Sequence, residues 1–263
     1  MRRRGFARGC LRAVAGLGWL WASACGERLD VGSDLLWTAR FEGDSFVEWT
    51  SVEGGGTFVF PTTNLVEPTS DRVHDGKYAA KVTLTAPADG SQATANLVRS
   101  GNLPDEAYYS AWYYLPQTAQ VTGYWVLMKF RMRTTATDPN SATELYDIDL
   151  KSLASGEMAL MIYDHTQDKE LALSVIDPVV PAGGAWFQVE AYYRNASDAT
   201  GRLRVWLDGQ EVADVVKPTG TPGWVEWDVG SVADNLTPQT VTVYVDDCAI
   251  SRTQVGPTGL LAM

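Results

Sequence analysis

The chain has 263 residues, with 21 Lys+Arg against 32 Asp+Glu and a formal net charge of −11. Five of the cations lie in Met1–Arg12 with no acid among them, so the remainder carries 16 cations against 32 acids. A surface that acidic repels nucleic acid and anionic lipid headgroups and excludes both as general partners; an acidic polymer can bind only at a local basic patch.

The N-terminus reads as an export signal. Arg2, Arg3, Arg4, Arg8 and Arg12 precede an apolar run, Ala13–Ala24, that is too short to span a bilayer of about 30 Å. The small residues Ala22-Ser23-Ala24 directly before Cys25 resemble the lipobox of bacterial lipoproteins, although Ala22 stands where that motif has Leu. The resemblance implies a signal at 1–24, lipidation of Cys25, a place in the bacterial cell envelope, and membrane contact only through that anchor; the alternative is an ordinary cleaved signal and a secreted protein. Residues 25–36 read as a tether and 37–263 as one domain. With Cys10 in the signal and Cys25 lipidated, Cys248 has no disulfide partner and reads as a small buried apolar residue.

From Trp37 onward the pattern is short strands separated by Gly, Pro, Asn and Asp. The clearest are Tyr78–Leu84, Tyr108–Leu115, Tyr124–Arg133, Glu144–Leu150, Glu157–Asp164, Glu170–Ile176, Trp186–Arg194, Arg202–Leu207 and Thr240–Ile250. No window sustains an apolar stripe of helical period, so the fold class is all-β: a two-sheet antiparallel β-sandwich of jelly-roll type. The stretch Ala185–Gly209 predicts a two-faced hairpin. Phe187, Val189, Ala191 and Tyr193 alternate with Gln188, Glu190, Tyr192 and Arg194, and Leu203, Val205 and Leu207 alternate with Arg202, Arg204 and Trp206. A second tight turn is expected at Asp208-Gly209. In Tyr124–Arg133, Val126, Met128, Phe130 and Met132 form one apolar face, which puts Trp125, Lys129, Arg131 and Arg133 on the other.

The segments FEGDSFVEW, HDGKYAAKV, YYSAWYYLP, WVLMKF, WFQVEAYYR, GRLRVWLDG and VYVDDCAIS occur in that order. The succession resembles the concanavalin-A-like lectin/glucanase jelly rolls, closest to heparinase-I-like polysaccharide lyases and related carbohydrate-binding domains. The resemblance implies a concave sheet that holds sugar on its non-core face. Trp125, Lys129, Arg131, Tyr192, Arg194, Arg204 and Trp206 are then expected to share that sheet, aromatic rings stacking on sugars while cations pair with carboxylate or sulfate. The leading expectation is an exported domain that binds an acidic polysaccharide. The alternatives are a polysaccharide lyase acting by β-elimination and a non-catalytic surface lipoprotein.

A lyase needs a group to neutralise the uronate carboxylate, a base for the C5 proton and an acid for the leaving oxygen. Tyr192, Arg194, Lys129, Arg131 and His165 are the candidates for those roles; His74 falls in a turn. The laminarinase-like Glu-x-Asp-x-x-Glu spacing is absent, although Asp147 and Asp149 share a strand face. Glu42 and Asp44 near the start, with Asp246 and Asp247 near the end, match the acids that hold a structural Ca²⁺ where first and last strands meet in such jelly rolls; Glu42, Asp44 and Asp247 are the candidate ligands. No phosphate-cradling loop calls for an organic cofactor.

Overall fold

The computed structural model describes residues 34–50, 55–101, 103–135, 138, 141–173, 179–220 and 223–259. The export signal and Cys25 lie outside these residues. Strands are numbered in chain order, and every pairing is antiparallel. Sheet A runs β14 (Gln210–Val216), β13 (Arg202–Leu207), β12 (Trp186–Arg194), β6 (Glu106–Tyr114), β17 (Thr240–Ser251), β4 (Ala79–Thr85) and β3 (Leu65–Thr69), with β1 (Leu35–Ala39) also paired to β17. Sheet B runs β11 (Lys169–Leu173), β10 (Met158–Asp164), β9 (Thr143–Ser152), β8 (Trp125–Arg133), β15 (Trp224–Ala233), β5 (Ala93–Arg99) and β2 (Gly56–Phe60). A small ribbon pairs β7 (Gln120–Val121) with β16 (Leu236–Thr237). This is the expected sandwich. Its first strand begins two residues inside the expected tether.

The core is built by the alternation seen in the sequence. Phe187, Val189, Ala191 and Tyr193 of β12 and Leu203, Val205 and Leu207 of β13 are buried in it, facing Phe130, Tyr146 and Trp227 of sheet B. Trp49, Trp227, Tyr109, Phe130 and Tyr193 form a chain of ring contacts 4.5 to 5.7 Å apart. Such pairs add about 0.5–1.5 kcal/mol each beyond their buried area. The Asp208-Gly209 turn joins β13 to β14 with positive φ at both residues, 50° and 78°, the backbone that a right-twisted hairpin prefers. Cys248 is buried in the core.

Two irregularities set what faces outward on sheet B. Pairing of β8 with β9 slips between Val126 and Met128, leaving Leu127 as an extra residue. The same stretch slips against β15 between Val229 and Val232, where Gly230 has a φ of 141° and a Cβ would lie 2.5 Å from the Ala95 carbonyl oxygen. The bulge reverses the alternation. Trp125 therefore points into the core, donating from Nε1 to Ser231 Oγ at 2.9 Å, and Val126 takes the outward position. The expectation that Trp125 presents its ring to a ligand is thereby corrected: a period of two holds only up to the inserted residue. A second slip, at Leu145 between the Phe130–Tyr146 and Arg131–Glu144 pairs, turns Glu144 to the same side as Asp147, Asp149 and Lys151 despite the three-residue spacing.

Candidate functional site

The outward face of sheet B carries two adjoining cavities that share Gln92, Lys129 and Glu144, and together they form a groove across the strands. The larger, about 730 Å³, is lined by Phe58 and Phe60 of β2, Thr94, Asn96 and Val98 of β5, Lys129, Arg131 and Arg133 of β8, and Glu226 and Asp228 of β15. The smaller, about 430 Å³, is lined by Tyr124, Asp147, Asp149, Lys151, Met161, Tyr163 and His165 among others.

The three cations of β8 do lie side by side on this face, but each is matched by an acid. Arg131 donates from Nη1 to Glu226 at 2.9 Å, Arg133 donates from Nε to the other oxygen of Glu226, and Glu226 is fully buried. Lys129, 5% exposed, lies 3.3 Å from Glu144 and 3.8 Å from Asp228. Burial, then the neighbouring Glu226 charge, pushes Asp228 well above the ordinary carboxyl range. Burial, then Asp147, does the same to Asp149. The face expected to be a basic patch is thus charge-balanced, because a buried strand face cannot keep three unpaired cations.

The second half of the groove holds titratable groups of a different kind. Tyr163 alternates with the core residue Ile162 on β10, and His165 follows just past the strand end. The His165 amide still donates to the Leu145 carbonyl at 3.0 Å, which keeps the imidazole over β9. There Nε2 meets Asp147 Oδ2 at 2.8 Å. The Asp147 hydrogen bond raises the imidazole above its ordinary value of 6.5, against an opposing contribution from burial. The Tyr163 ring lies 5.0 Å from that of His165, and its hydroxyl donates to Asp168, which raises the phenol. Among the described residues, Glu144, Asp147 and His165 are the one set of three acid or histidine side chains whose ligand atoms lie within 4.8 Å of one another. Lys129 on Glu144 and the imidazole on Asp147 already engage these acids, so the set reads as a proton-handling cluster.

Lys129, Arg131 and His165 are brought together, and Tyr192, Arg194, Arg204 and Trp206 are not. The latter belong to β12 and β13 of sheet A, whose outer face points away from that of sheet B. Tyr192 donates to Glu106 at 2.6 Å, Arg194 lies 3.8 Å from Glu106, and Arg204 caps the Trp206 ring at 4.7 Å while pairing with Glu211. The expectation of one shared sheet is therefore corrected. Alternation assigns a residue to the outer face of its own sheet and is silent on which of two sheets that is.

Among the described residues, Glu42, Asp44 and Asp247 do not form a set of three whose ligand atoms lie within 4.8 Å of one another. Both oxygens of Glu42 accept from the Lys77 amide, at 3.0 and 3.1 Å. Asp247 accepts from Arg40 Nε at 3.3 Å and pairs with His74 Nδ1 at 2.7 Å. Asp44 sits in a turn with a φ of 50°. Burial, then Asp247, pushes Asp246 up to about 8. At Asp247 the protein places its own guanidinium and imidazole against the carboxylate, so that acid is already paired. Asp247→Ala should accordingly lower the melting temperature by leaving Arg40 and His74 without their shared acid, while a chelator leaves the wild-type melt unchanged; a chelator-induced drop would restore the calcium site.

Tyr163, Glu144, Gln92, Phe58 and Phe60 escaped the sequence reading. Tyr163 had a readable signal in its alternation with Ile162 next to His165; Glu144 had none, because its direction depends on the bulge at Leu145.

A profile of the polysaccharide lyase family matches residues 42–249. Curated protein sequences give no match. Among solved structures the chain is similar to an endo-β-1,4-glucuronan lyase from the fungus Trichoderma reesei, at 17% identity over 83% of this chain and 96% of that one, with a TM-score of 0.61. It is also similar to a cellulose-induced protein, at 19% identity over 83% and 98% with a TM-score of 0.54. A carbohydrate esterase from the Shiga toxin-encoding bacteriophage phi24B aligns at 14% identity over 84% and 99%, with a TM-score of 0.50. At these identities the structural likenesses establish the fold, and the profile match over most of the chain establishes the family: this chain belongs to the polysaccharide lyases.

Proposed function

We propose that the protein is a polysaccharide lyase that cleaves a uronate-containing chain by β-elimination in the sheet B groove. The observation that carries this reading is the meeting of Lys129, Tyr163 and His165 around one cavity. Lys129, with Arg131 behind it, neutralises the uronate carboxylate and so acidifies the C5 proton beside it. His165, oriented by Asp147, takes that proton. The C5 electron pair forms the C4=C5 double bond, the C4–O4 bond breaks, and Tyr163, whose raised phenol stays protonated, supplies the proton to O4. The two products are a chain with a new hydroxyl end and a chain with an unsaturated uronate end. The family match supports this reaction class, and the likeness to a fungal endo-β-1,4-glucuronan lyase makes a β-1,4-glucuronan the first polymer to try.

A pH dependence follows. His165 acts as a base only when neutral, so activity falls on the acid side as pH drops through its folded-state pKa, which Asp147 holds above 6.5. Asp147→Asn removes the carboxylate that favours the imidazolium and should move the acid limb of kcat/KM to lower pH, with kcat reduced because the imidazole loses its orienting partner. An acid limb at the same pH in wild type and variant would remove His165 from the proton transfer.

A further inference from the structure

We propose that Phe58 and Phe60 form a ring-stacking subsite for a sugar of the substrate chain, at the β2 end of the groove. The identity of the ligand rests on the lyase reading; the site itself rests on the following geometry.

Both rings line the larger cavity, alternating with Val59, which packs on the core. They are 47% and 60% exposed, among the most exposed large apolar side chains in the described residues. Two phenyl groups on the edge strand of a sheet are a standing invitation to aggregation, and their retention in an open cavity calls for an occupant. Beside the rings on the same sheet face, Asn96 and Thr94 of β5 pair directly with Phe58 and Phe60, and Arg131 of β8 lies two strands further along. An apolar platform at the rim of a polar floor matches a pyranose ring, whose C–H face stacks while its hydroxyls hydrogen-bond.

Charge argues for the same occupant. On this side Arg131 and Arg133 share the buried Glu226, and Arg131 also lies 3.2 Å from Glu144, so each cation already has an acid partner. The subsite therefore selects ring shape over charge. Strand β2 lies three strand spacings from β8, roughly 14 Å. One sugar cannot both contact Lys129 and stack on Phe58 and Phe60; an oligomer can, because the two cavities are continuous through Gln92, Lys129 and Glu144.

The experiment compares wild type with the Phe58→Ala/Phe60→Ala double variant by retention in gels containing β-1,4-glucuronan and by KM against chain length. The double variant should lose about tenfold in affinity for polymer and gain about tenfold in KM. Its kcat and its KM for the shortest cleavable oligomer should not change, because only uniform binding has been removed. Phe58→Trp with Phe60 intact should keep the affinity. Equal retention and equal KM in wild type and double variant overturn the subsite, as does a wild-type dimer that the substitutions convert to monomer with glycan affinity unchanged. Wild-type retention without product release overturns the lyase reading instead, and the retention comparison still decides the subsite.

Discussion

Tyr163→Phe, which deletes one hydroxyl from a half-exposed ring, should lower kcat by about 100- to 10,000-fold and leave the melting temperature within a degree or so of wild type. The phenol is a protonated donor next to the His165 imidazole, at 5.0 Å between rings, and its hydrogen bond to Asp168 keeps the proton on oxygen. Lys129→Ala should cost a comparable factor, since no other cation of the smaller cavity is as deeply set: Lys151 is drawn off to Glu170 at 2.7 Å. Lys129→Arg separates charge from reach. If neutralisation alone matters, it recovers part of the loss; if Lys129 itself handles the proton, it does not. Full activity in Tyr163→Phe would show that the leaving oxygen takes its proton elsewhere.

The largest expected effect on stability lies in the other half of the groove. Glu226 is fully buried and its two oxygens serve Arg131 and Arg133, the latter also buried. Glu226→Ala removes the acid that both guanidiniums share and leaves their charge in a low-dielectric site. Breaking such a buried pair costs about 3–5 kcal/mol, so the melting temperature should fall on the order of 10 °C. Glu226→Gln keeps the shape and one acceptor and should fall between. A melt for Glu226→Ala within two or three degrees of wild type would show that solvent reaches these guanidiniums and that the network is a surface feature.

How much of this is readable from the amino-acid order alone depends on the residue. The sandwich was legible because core alternation persists through long strands: β12 and β13 span the residues that the sequence marks. The basic run Lys129, Arg131, Arg133 was legible as one face for the same reason. Its partners were not, because Glu226 and Asp228 lie almost a hundred residues away on a strand, β15, whose nearly continuous burial hides its alternation. Trp125 faces the core against its alternation because an inserted residue, Leu127, reverses the face. Tyr192 and Arg204 do fall on the outer face that alternation assigns them, but local pattern carries nothing about which sheet that face belongs to. The pairing of β8 with β9 and β15, and of β12 with β6 and β13, is long-range information that local pattern does not contain.

The most direct test of the central claim is product chemistry. The purified protein is incubated with glucuronan, alginate, hyaluronan, heparin and pectate, and the products are followed by the ultraviolet absorbance of the C4=C5 uronate and by mass spectrometry. Cleavage in the sheet B groove yields unsaturated chain ends on at least one of these polymers, and that signal disappears in Tyr163→Phe. Saturated products, a mass of one water higher at the new end, or an unsaturated product that forms equally well without the Tyr163 hydroxyl, would contradict the account.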